Sequence, residues 1–569
     1  MYKFKIKEIN LSSQNNPFDL VPKAINIVIG PNNSGKSRFL KELRDYLSGD
    51  FRNIRMINNI DYDYPSDLAE LDQSYQLSQK MYKDVYGNWV MRVYTNKPNS
   101  ELDMDSSLEN YYSHNFHSYG NSTWEEFYEA PIKDKNRNEF FERFGPLFFN
   151  YIGTEERLTI SKTQKNYGLD SNSLNYLSAY KFSNKLLEAL RVNIKNLFGK
   201  DIYLDTHSLG DKITFRVGTD LDYIRNNAQP SQEDINRLYK ESKLDDQGDG
   251  IKSYVSTFLS LNHAEGDILL IDEPEAFLHP PLARQLGELI GRTQNDKQIF
   301  VATHSVEVLK GVLSQNTNVN IIRITQPTPG VNEIQLVDNN LLQTILTTPL
   351  LRVSRVMEGL FCNKVVITES EADELVYQEL TEKLFPQSGL YFAHAQNKQT
   401  LVDIAKLYQK IGIKYEMITD FDVIRIPSEF QKFLDLMPLT DKEKQRYLNY
   451  SNKLREMVDA SVSTEGKTED EIKSAQKSAR DKVYHECGLA YFSAFVDKIK
   501  VAFELFSKHH LHILESGELE TILVPYGVSY VSDKKVWIEL AMNKIQDMTA
   551  ESIPQDSQIY KLISNVITD

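Results

Sequence analysis

Gly30-Pro31-Asn32-Asn33-Ser34-Gly35-Lys36-Ser37 is the stretch whose reading decides the fold. The run Ile25 to Ile29 just before it reads as a buried strand. Just after it, Phe39-Leu40, Leu43 and Tyr46-Leu47 recur at the spacing of an amphipathic helix. The pattern G-x-x-x-x-G-K-[ST] between a strand and a helix is a phosphate-binding loop. Its two glycines let backbone N–H groups, including those of Asn32, Asn33 and Ser34, wrap a pyrophosphate. Lys36 reaches the outer phosphates and Ser37 offers a hydroxyl to Mg²⁺. The reading is an α/β fold with ATP and Mg²⁺ as cofactors.

A second constellation lies downstream. Ile268-Leu-Leu-Ile271 is a short apolar strand running into Asp272-Glu273. A buried strand delivers its terminal residues to the crevice at its C-terminal end, here beside the phosphate loop. Asp272 is expected to hold the Mg²⁺ shell, and Glu273 to orient and polarise the attacking water. Pro274-Glu275 and His279-Pro280 then turn the chain into a helix. About thirty residues on, Ile299-Phe-Val-Ala-Thr303-His304-Ser305 is another strand, ending in a histidine.

Between these motifs, residues 51 to about 145 are rich in Tyr, Asn, Ser and acids and have weak periodicity. They read as an inserted lobe of short strands and long loops. The N-terminus, Met1 to Lys7, alternates like an edge strand. Leu174 to Leu197 reads as one amphipathic helix stopped by Gly199, and Ser231-x-x-Asp234 opens another as a capping box. Residues 325–350 read as a connection. The expected domains are therefore 1–345, carrying the ATPase motifs, and 346–569.

The chain has 569 residues, 41% hydrophobic and 25% charged, an ordinary globular composition. No apolar stretch approaches the ~20 residues of a membrane span. Two cysteines, Cys362 and Cys487, far apart, fit a reducing cytoplasm and give no metal-finger spacing. A net charge of −15 excludes an overall basic footprint for coating nucleic acid. It does not exclude a nuclease, because acids that hold divalent ions add negative charge that the ions reverse.

The C-terminal half supplies such acids. Val365-Val-Ile-Thr368 runs into Glu369, with Asp373 four residues on. Tyr415-Glu-Met-Ile-Thr419 runs into Asp420-Phe-Asp422. Leu514 leads to Glu515, Glu518 and Glu520, and Lys534 and Lys535 follow. Two acid-tipped strand ends side by side make an all-oxygen site suited to Mg²⁺ or Mn²⁺. Glu371, Glu515 and Glu539 read as surface charges. The charged stretch Asp441 to Lys482 reads as a solvated helical hairpin inside a helical insert at about 427–510. His509-His510-x-His512 does not read as a metal cluster, because its alternating spacing lies in a strand-like run.

The P-loop, the Asp272-Glu273-Pro274 run and the Thr303-His304-Ser305 histidine resemble the ABC/SMC class of ATPases in kind and order. The resemblance implies that His304 senses the γ-phosphate and that a signature segment reaches across a homodimer to the partner's ATP. The usual serine–glycine–glycine signature is replaced by Gln247-Gly248-Asp249-Gly250, a glycine-rich helix start that still offers N–H groups to phosphate. A glutamine loop is expected near Tyr151–Arg157.

Glu369 with Asp420-x-Asp422 resembles the Toprim domain of topoisomerases, primases and related nucleases. Ser370 and Ala395-Gln-Asn-Lys398 stand where many members have glycines. An ABC-type half followed by a Toprim half is the arrangement of the OLD (overcoming lysogenization defect) nucleases, which include Gabija nuclease subunits and retron effectors. That resemblance implies a two-metal centre of Glu369, Asp373, Asp420, Asp422, Glu518 and Glu520, assisted by a lysine, Lys534 or Lys535, with Lys535 the expected member. It implies a metal-dependent nuclease in anti-phage defence. Its substrate would be DNA, with cutting of tRNA or other RNA, or binding without cutting, as alternatives. It implies dedicated partners too: a helicase-like subunit, or a reverse transcriptase with its RNA–DNA hybrid.

Overall fold

A computed structural model describes residues 2–13, 18–77, 81–83, 89–94, 111–113, 124–166, 176–181, 183–227, 229–262, 266–293, 296–328, 330–338, 355–531 and 533–568. The chain divides into two compact units, Met1–Asn339 and Asn340–Asp569. The expected boundary at 345/346 and residues 339–350 of the expected connection lie outside the described residues. The first part of that stretch is not a connection, because Asn320–Thr328 and Val331–Leu336 pair as antiparallel strands.

The first unit is built on a six-stranded sheet. Its order is Val331–Leu336, Asn320–Thr328, Ile25–Ile29, Gln298–Ala302, Ile268–Asp272, Phe149–Ile152. All neighbours are parallel except the Val331–Leu336 edge. The three central strands are buried at every residue, as strands covered on both faces must be, and hence they read as apolar runs rather than alternations. Asp272 pairs with Ala302, and Ala302 with Val28. That register puts the phosphate loop, His304 and Asp272 at one end of three adjacent strands.

A smaller antiparallel sheet runs Phe18–Leu20, Ile6–Leu11, Ile57–Tyr62. The N-terminal strand is therefore its middle strand, paired on both sides, and not an edge. The polar alternation reflects one solvated face. The expectation for 51–145 is met only in part. Among the described residues its first strand completes this sheet, and Met81–Lys83, Trp89–Tyr94 and Tyr111–Ser113 form the expected short strands of a further sheet. There are also three helices among them, Leu68–Tyr75, Trp124–Lys133 and Arg137–Phe148. The aromatic richness at its ends is core: Tyr62, Phe140 and Phe141 are buried with Phe4 and Phe148, whose rings stack at 4.5 Å. Leu174–Leu197 is two helices rather than one, Tyr176–Tyr180 and Asn184–Phe198, the second closed by left-handed Gly199 as read. The Ser231/Asp234 capping box is present.

The second unit has a four-stranded, all-parallel sheet in the order Tyr391–His394, Lys364–Thr368, Lys414–Thr419, Leu511–Ile513. Between the last two strands the chain is helical, with Pro427–Leu434, Asp441–Ala460, Glu469–Lys482 and Val496–Ser507 the regular helices. Asp441–Ala460 and Glu469–Lys482 each start in a threonine capping box, and the second buries no residue, as a solvated hairpin requires. Two histidines of the 509–512 run hold a buried carboxylate. His510 and His512 both hydrogen-bond buried Glu416, at 3.1 and 2.9 Å, and Lys364 pairs with the same carboxylate at 3.1 Å.

Candidate nucleotide site and carboxylate centre

The phosphate loop is shaped by backbone demands. Gly30 has φ +144°, and a Cβ there would stand 2.0 Å from the Ile324 carbonyl, so no other residue fits. Asn33 is left-handed, and Asn332 donates to the Ser34 carbonyl at 2.8 Å. Gly35 precedes the helix Lys36–Leu47, whose N-terminal dipole favours an anion. Buried Lys36 donates to the carbonyls of Gly30 and Pro31, at 2.9 and 2.8 Å, so its ammonium lies within the loop's curl. Burial draws its pKa below the usual lysine range.

Asp272 is buried beside this loop. It accepts from Tyr151 at 3.3 Å, while its Oδ1 has no hydrogen-bond partner. Burial raises its pKa. An orphaned carboxylate oxygen next to the loop serine suits a hard cation.

Glu273 is left-handed at φ +48°, a strained state for a non-glycine. Two hydrogen bonds hold it there: its N–H donates to Ala302 at 2.8 Å, and its carbonyl accepts from Arg157 at 2.6 Å. Fully buried Arg157 also donates to the Asp272 carbonyl at 2.5 Å. The Glu273 side chain is half exposed, 3.7 Å from His304 Nδ1. Buried Glu275 accepts from the Thr303 hydroxyl at 2.7 Å and the His304 N–H at 2.8 Å. Gly248 precedes the helix Asp249–Asn262, and Gly250 lies in its first turn, packed close to the Phe277 carbonyl.

In the second unit Glu369 and Asp420 follow two adjacent central strands. The chain leaves Lys364–Thr368 for one side of the sheet and returns on the other, so both acids stand at the topological switch point, where crevices open. One carboxylate oxygen from each of Glu369, Asp420 and Asp422 lies within 4.8 Å of the others. The turns around them are tied together. The Asp420 N–H donates to Glu369 at 3.3 Å, Leu519 N–H to Asp420 at 3.1 Å, and Phe421 N–H to the Gly517 carbonyl at 2.9 Å. Gly517 has φ +125°, and a Cβ would stand 2.3 Å from the His485 carbonyl. That close approach brings the Glu518 turn to the site.

Asp373 caps its own helix through Ser370, Glu518 pairs with His485, and Glu520 lies 3.8 Å from Lys534. Lys398 reaches in from the first turn of Lys398–Ile411, 2.5 Å from Asp422 and 3.8 Å from Glu369. Burial, together with repulsion among the acids, raises the pKa values of Asp420 and Glu369, the latter against the pull of Lys398. Burial likewise raises Asp373 and Glu520, against the pull of Lys534. Burial also opposes ionisation of Glu518, but His485 more than offsets it and lowers that pKa. Asp422 Oδ1, Asp373 Oδ1 and Glu520 Oε2 are buried without partners. An all-oxygen donor set with orphaned oxygens fits Mg²⁺ or Mn²⁺.

Two family descriptions match the chain. "AAA domain, putative AbiEii toxin, Type IV TA system" covers residues 150–310, and "Overcoming lysogenization defect protein-like, TOPRIM domain" covers 360–422. The chain joins an ATPase domain to an OLD-like Toprim domain. No curated protein matches it. Among solved structures, it is similar to the Smc head bound to the C-terminal winged-helix domain of ScpA (15% identity, TM-score 0.32, 60% of this chain and 99% of that one). It is similar to the SMC head domain from Thermotoga maritima (15%, TM-score 0.27, 59% and 99%). It is similar to the C-terminal region of the Xanthomonas campestris pv. campestris OLD protein (10%, TM-score 0.20, 36% and 95%). Overlaps this loose place no residue.

In the second unit the structure gathers Glu369, Asp420 and Asp422 directly, and sets Asp373, Glu518 and Glu520 around Lys534. The lysine expectation is corrected. Lys534, itself half exposed, stands 3.8 Å from Glu520, whereas Lys535 gives its backbone N–H to the Asp533 cap. Glu371 and Glu539 are exposed, and Glu515 pairs with Lys500 at 3.7 Å. A second acid group, Asp201, Asp220 and Asp222, has its first and last members paired with Arg191 and Arg225. Sequence reading missed Arg157, Glu275, Lys398 and His485 as site residues. Glu275 stood in the Asp-Glu-Pro-Glu run, and Lys398 in the turn that departs from the Toprim glycines. Arg157 closes the Tyr151–Arg157 stretch read as a glutamine loop, which contains no glutamine, and His485 left no local signal.

Proposed function

We propose that this chain binds and hydrolyses ATP and cuts phosphodiester bonds of DNA with divalent metal ions, acting in anti-phage defence under nucleotide and partner control. The observation that carries it is the convergence of Glu369, Asp420 and Asp422 at a strand switch point, with buried acid oxygens left unpartnered. Among the described residues the six carboxylates stand against two lysines, Lys398 and Lys534, and one histidine, His485, an excess of negative charge that divalent ions would neutralise. Bound there, such ions would activate water and stabilise the leaving oxygen. Glu369, Asp420 and Asp422 would hold one ion, and Asp373, Glu518 and Glu520 a second. Lys534 would neutralise charge developing on the phosphate.

In the ATPase half, Lys36 and the loop N–H groups would bind the phosphates, and Ser37 with Asp272 the Mg²⁺. Glu273 would orient the attacking water, and His304 would meet the γ-phosphate. Gly248 and Gly250 open a helix whose N–H groups suit the nucleotide of a second copy, which supports a homodimer or higher oligomer. Among the described residues no helix is long and apolar enough to cross a membrane, which fits the cytoplasmic site of such an activity. The defence setting and the partner, a reverse transcriptase with its hybrid or a helicase-like subunit, follow the OLD-like architecture.

The test is nuclease assay of the purified chain with Mg²⁺ or Mn²⁺ on supercoiled DNA, linear DNA and tRNA, with and without ATP. Asp420→Ala is expected to abolish cutting, and Lys36→Ala to remove the response to ATP. Cutting that survives Asp420→Ala would overturn the reading. Preference for tRNA would move the substrate to RNA.

A further inference from the structure

The strongest unassigned feature is Lys398. It is the first residue of its helix, its side chain is one-fifth exposed, and its ammonium stands 2.5 Å from Asp422 Oδ2 and 3.8 Å from Glu369 Oε2. These are two of the three carboxylates that converge within 4.8 Å. An ammonium at that distance takes up the attraction a divalent ion would need from the same oxygens. A lysine and a divalent ion cannot both sit against Asp422 and Glu369 without strong mutual repulsion. Lysine, a compact charge on four flexible carbons, can swing away where a rigid arginine fork could not. Asn397 caps the helix through the Thr400 N–H, so the backbone stays fixed while the side chain moves.

We propose that Lys398 is an exchangeable cation of the carboxylate centre. It competes with the divalent ion for Asp422 and Glu369, and metal entry hands its ammonium to the phosphate of the nucleic acid. The centre then takes metal weakly without substrate and firmly with it, because a bound phosphate gives the displaced ammonium an anionic partner to replace the carboxylates. This rests on the metal-dependent reading above and deepens it. It makes metal and nucleic acid bind cooperatively, a reciprocal coupling.

The test is calorimetric titration of Mn²⁺ into the full-length chain, wild type, Lys398→Met and Lys398→Arg, with and without a short duplex carrying non-cleavable phosphorothioate linkages. Wild type is expected to bind Mn²⁺ at least tenfold more tightly with the duplex than without it. Lys398→Met should bind Mn²⁺ about tenfold more tightly than wild type in the absence of DNA and lose most of the gain from the duplex. Its melting temperature should fall in EDTA and rise more than that of wild type on adding Mn²⁺. Lys398→Arg keeps the charge and should stay weak, which covers a Met variant that fails to fold. Unchanged or weaker Mn²⁺ binding by Lys398→Met overturns the proposal while leaving the metal reading intact. Absence of Mn²⁺ binding in every protein, wild type included, overturns both.

Discussion

The carboxylate of Glu275 clamps His304 from two sides, accepting its backbone N–H at 2.8 Å and lying 3.2 Å from its Nδ1. The same oxygen takes the Thr303 hydroxyl. Glutamine can still accept from both donors but loses the charge facing the ring. Glu275→Gln is therefore expected to fold and bind ATP normally while ATP turnover falls roughly ten- to a hundredfold through misplacement of His304. Glu275→Ala strands the buried Thr303 hydroxyl and the part-buried His304 N–H and should in addition cost about 1–3 kcal/mol of stability. Turnover assays beside thermal melts separate the two, and a Glu275→Gln enzyme as fast as wild type would refute the clamp.

Arg157 holds the carbonyls of Asp272 and Glu273 and so keeps Glu273 in its left-handed state. Arg157→Met removes charge-assisted bonds worth roughly 1.5–3 kcal/mol each and lets that peptide relax. Nucleotide binding, which depends on Lys36, should persist while hydrolysis is lost. Fluorescent ATP-analogue binding measured beside phosphate release checks this; loss of both together would mean that the domain has unfolded.

Lys534 and Lys535 are neighbours in sequence, yet only the first faces acids. Lys534→Ala should lower cleavage about a hundredfold, the scale for removing one group that stabilises transition-state charge. Lys535→Ala should cut like wild type. Equal effects from the two variants would remove the lysine from the site.

Glu416 carries an acid-stability signature. Burial alone would raise its pKa, but hydrogen bonds from His510 and His512 and the charges of His512 and Lys364 lower it to about 2. A carboxylate depressed in the folded state adds stability above its unfolded pKa, near 4.5, and that stability is lost as pH falls toward 2. The contribution is on the order of 3 kcal/mol. Chemical denaturation from pH 7 to pH 2.5 should show a steep acid limb between about 4.5 and the lower end, flattened in Glu416→Gln. Parallel acid limbs in the two proteins would contradict it.

Much of the nucleotide site was legible because each part is local. Gly30 to Ser37, Asp272-Glu273 and Thr303-His304 are each a strand end with its loop, and a strand end is a pattern of a few consecutive residues. The same holds for Glu369 and for Asp420-x-Asp422. Their meeting in space follows from sheet order, and the order of four parallel strands is set by how their helices pack, which no single strand records. The central place of Ile6–Leu11 shows the same limit: alternation reports one wet face, not the number of partners.

The sequence by itself determined which residues could do chemistry: a phosphate loop, two acid-tipped strand ends, and a downstream acid pair with lysines. Only the tertiary structure decided which of them act together. It set Lys534 rather than Lys535 against the acids, because adjacent residues on a helix point about 100° apart. It brought Lys398 to Asp422 and Glu369, and Arg157 to the backbone of Glu273. Those contacts join residues 24 to 116 positions apart. Charge pairing over such separations depends on where the chain returns, and burial then fixes which return is tolerated.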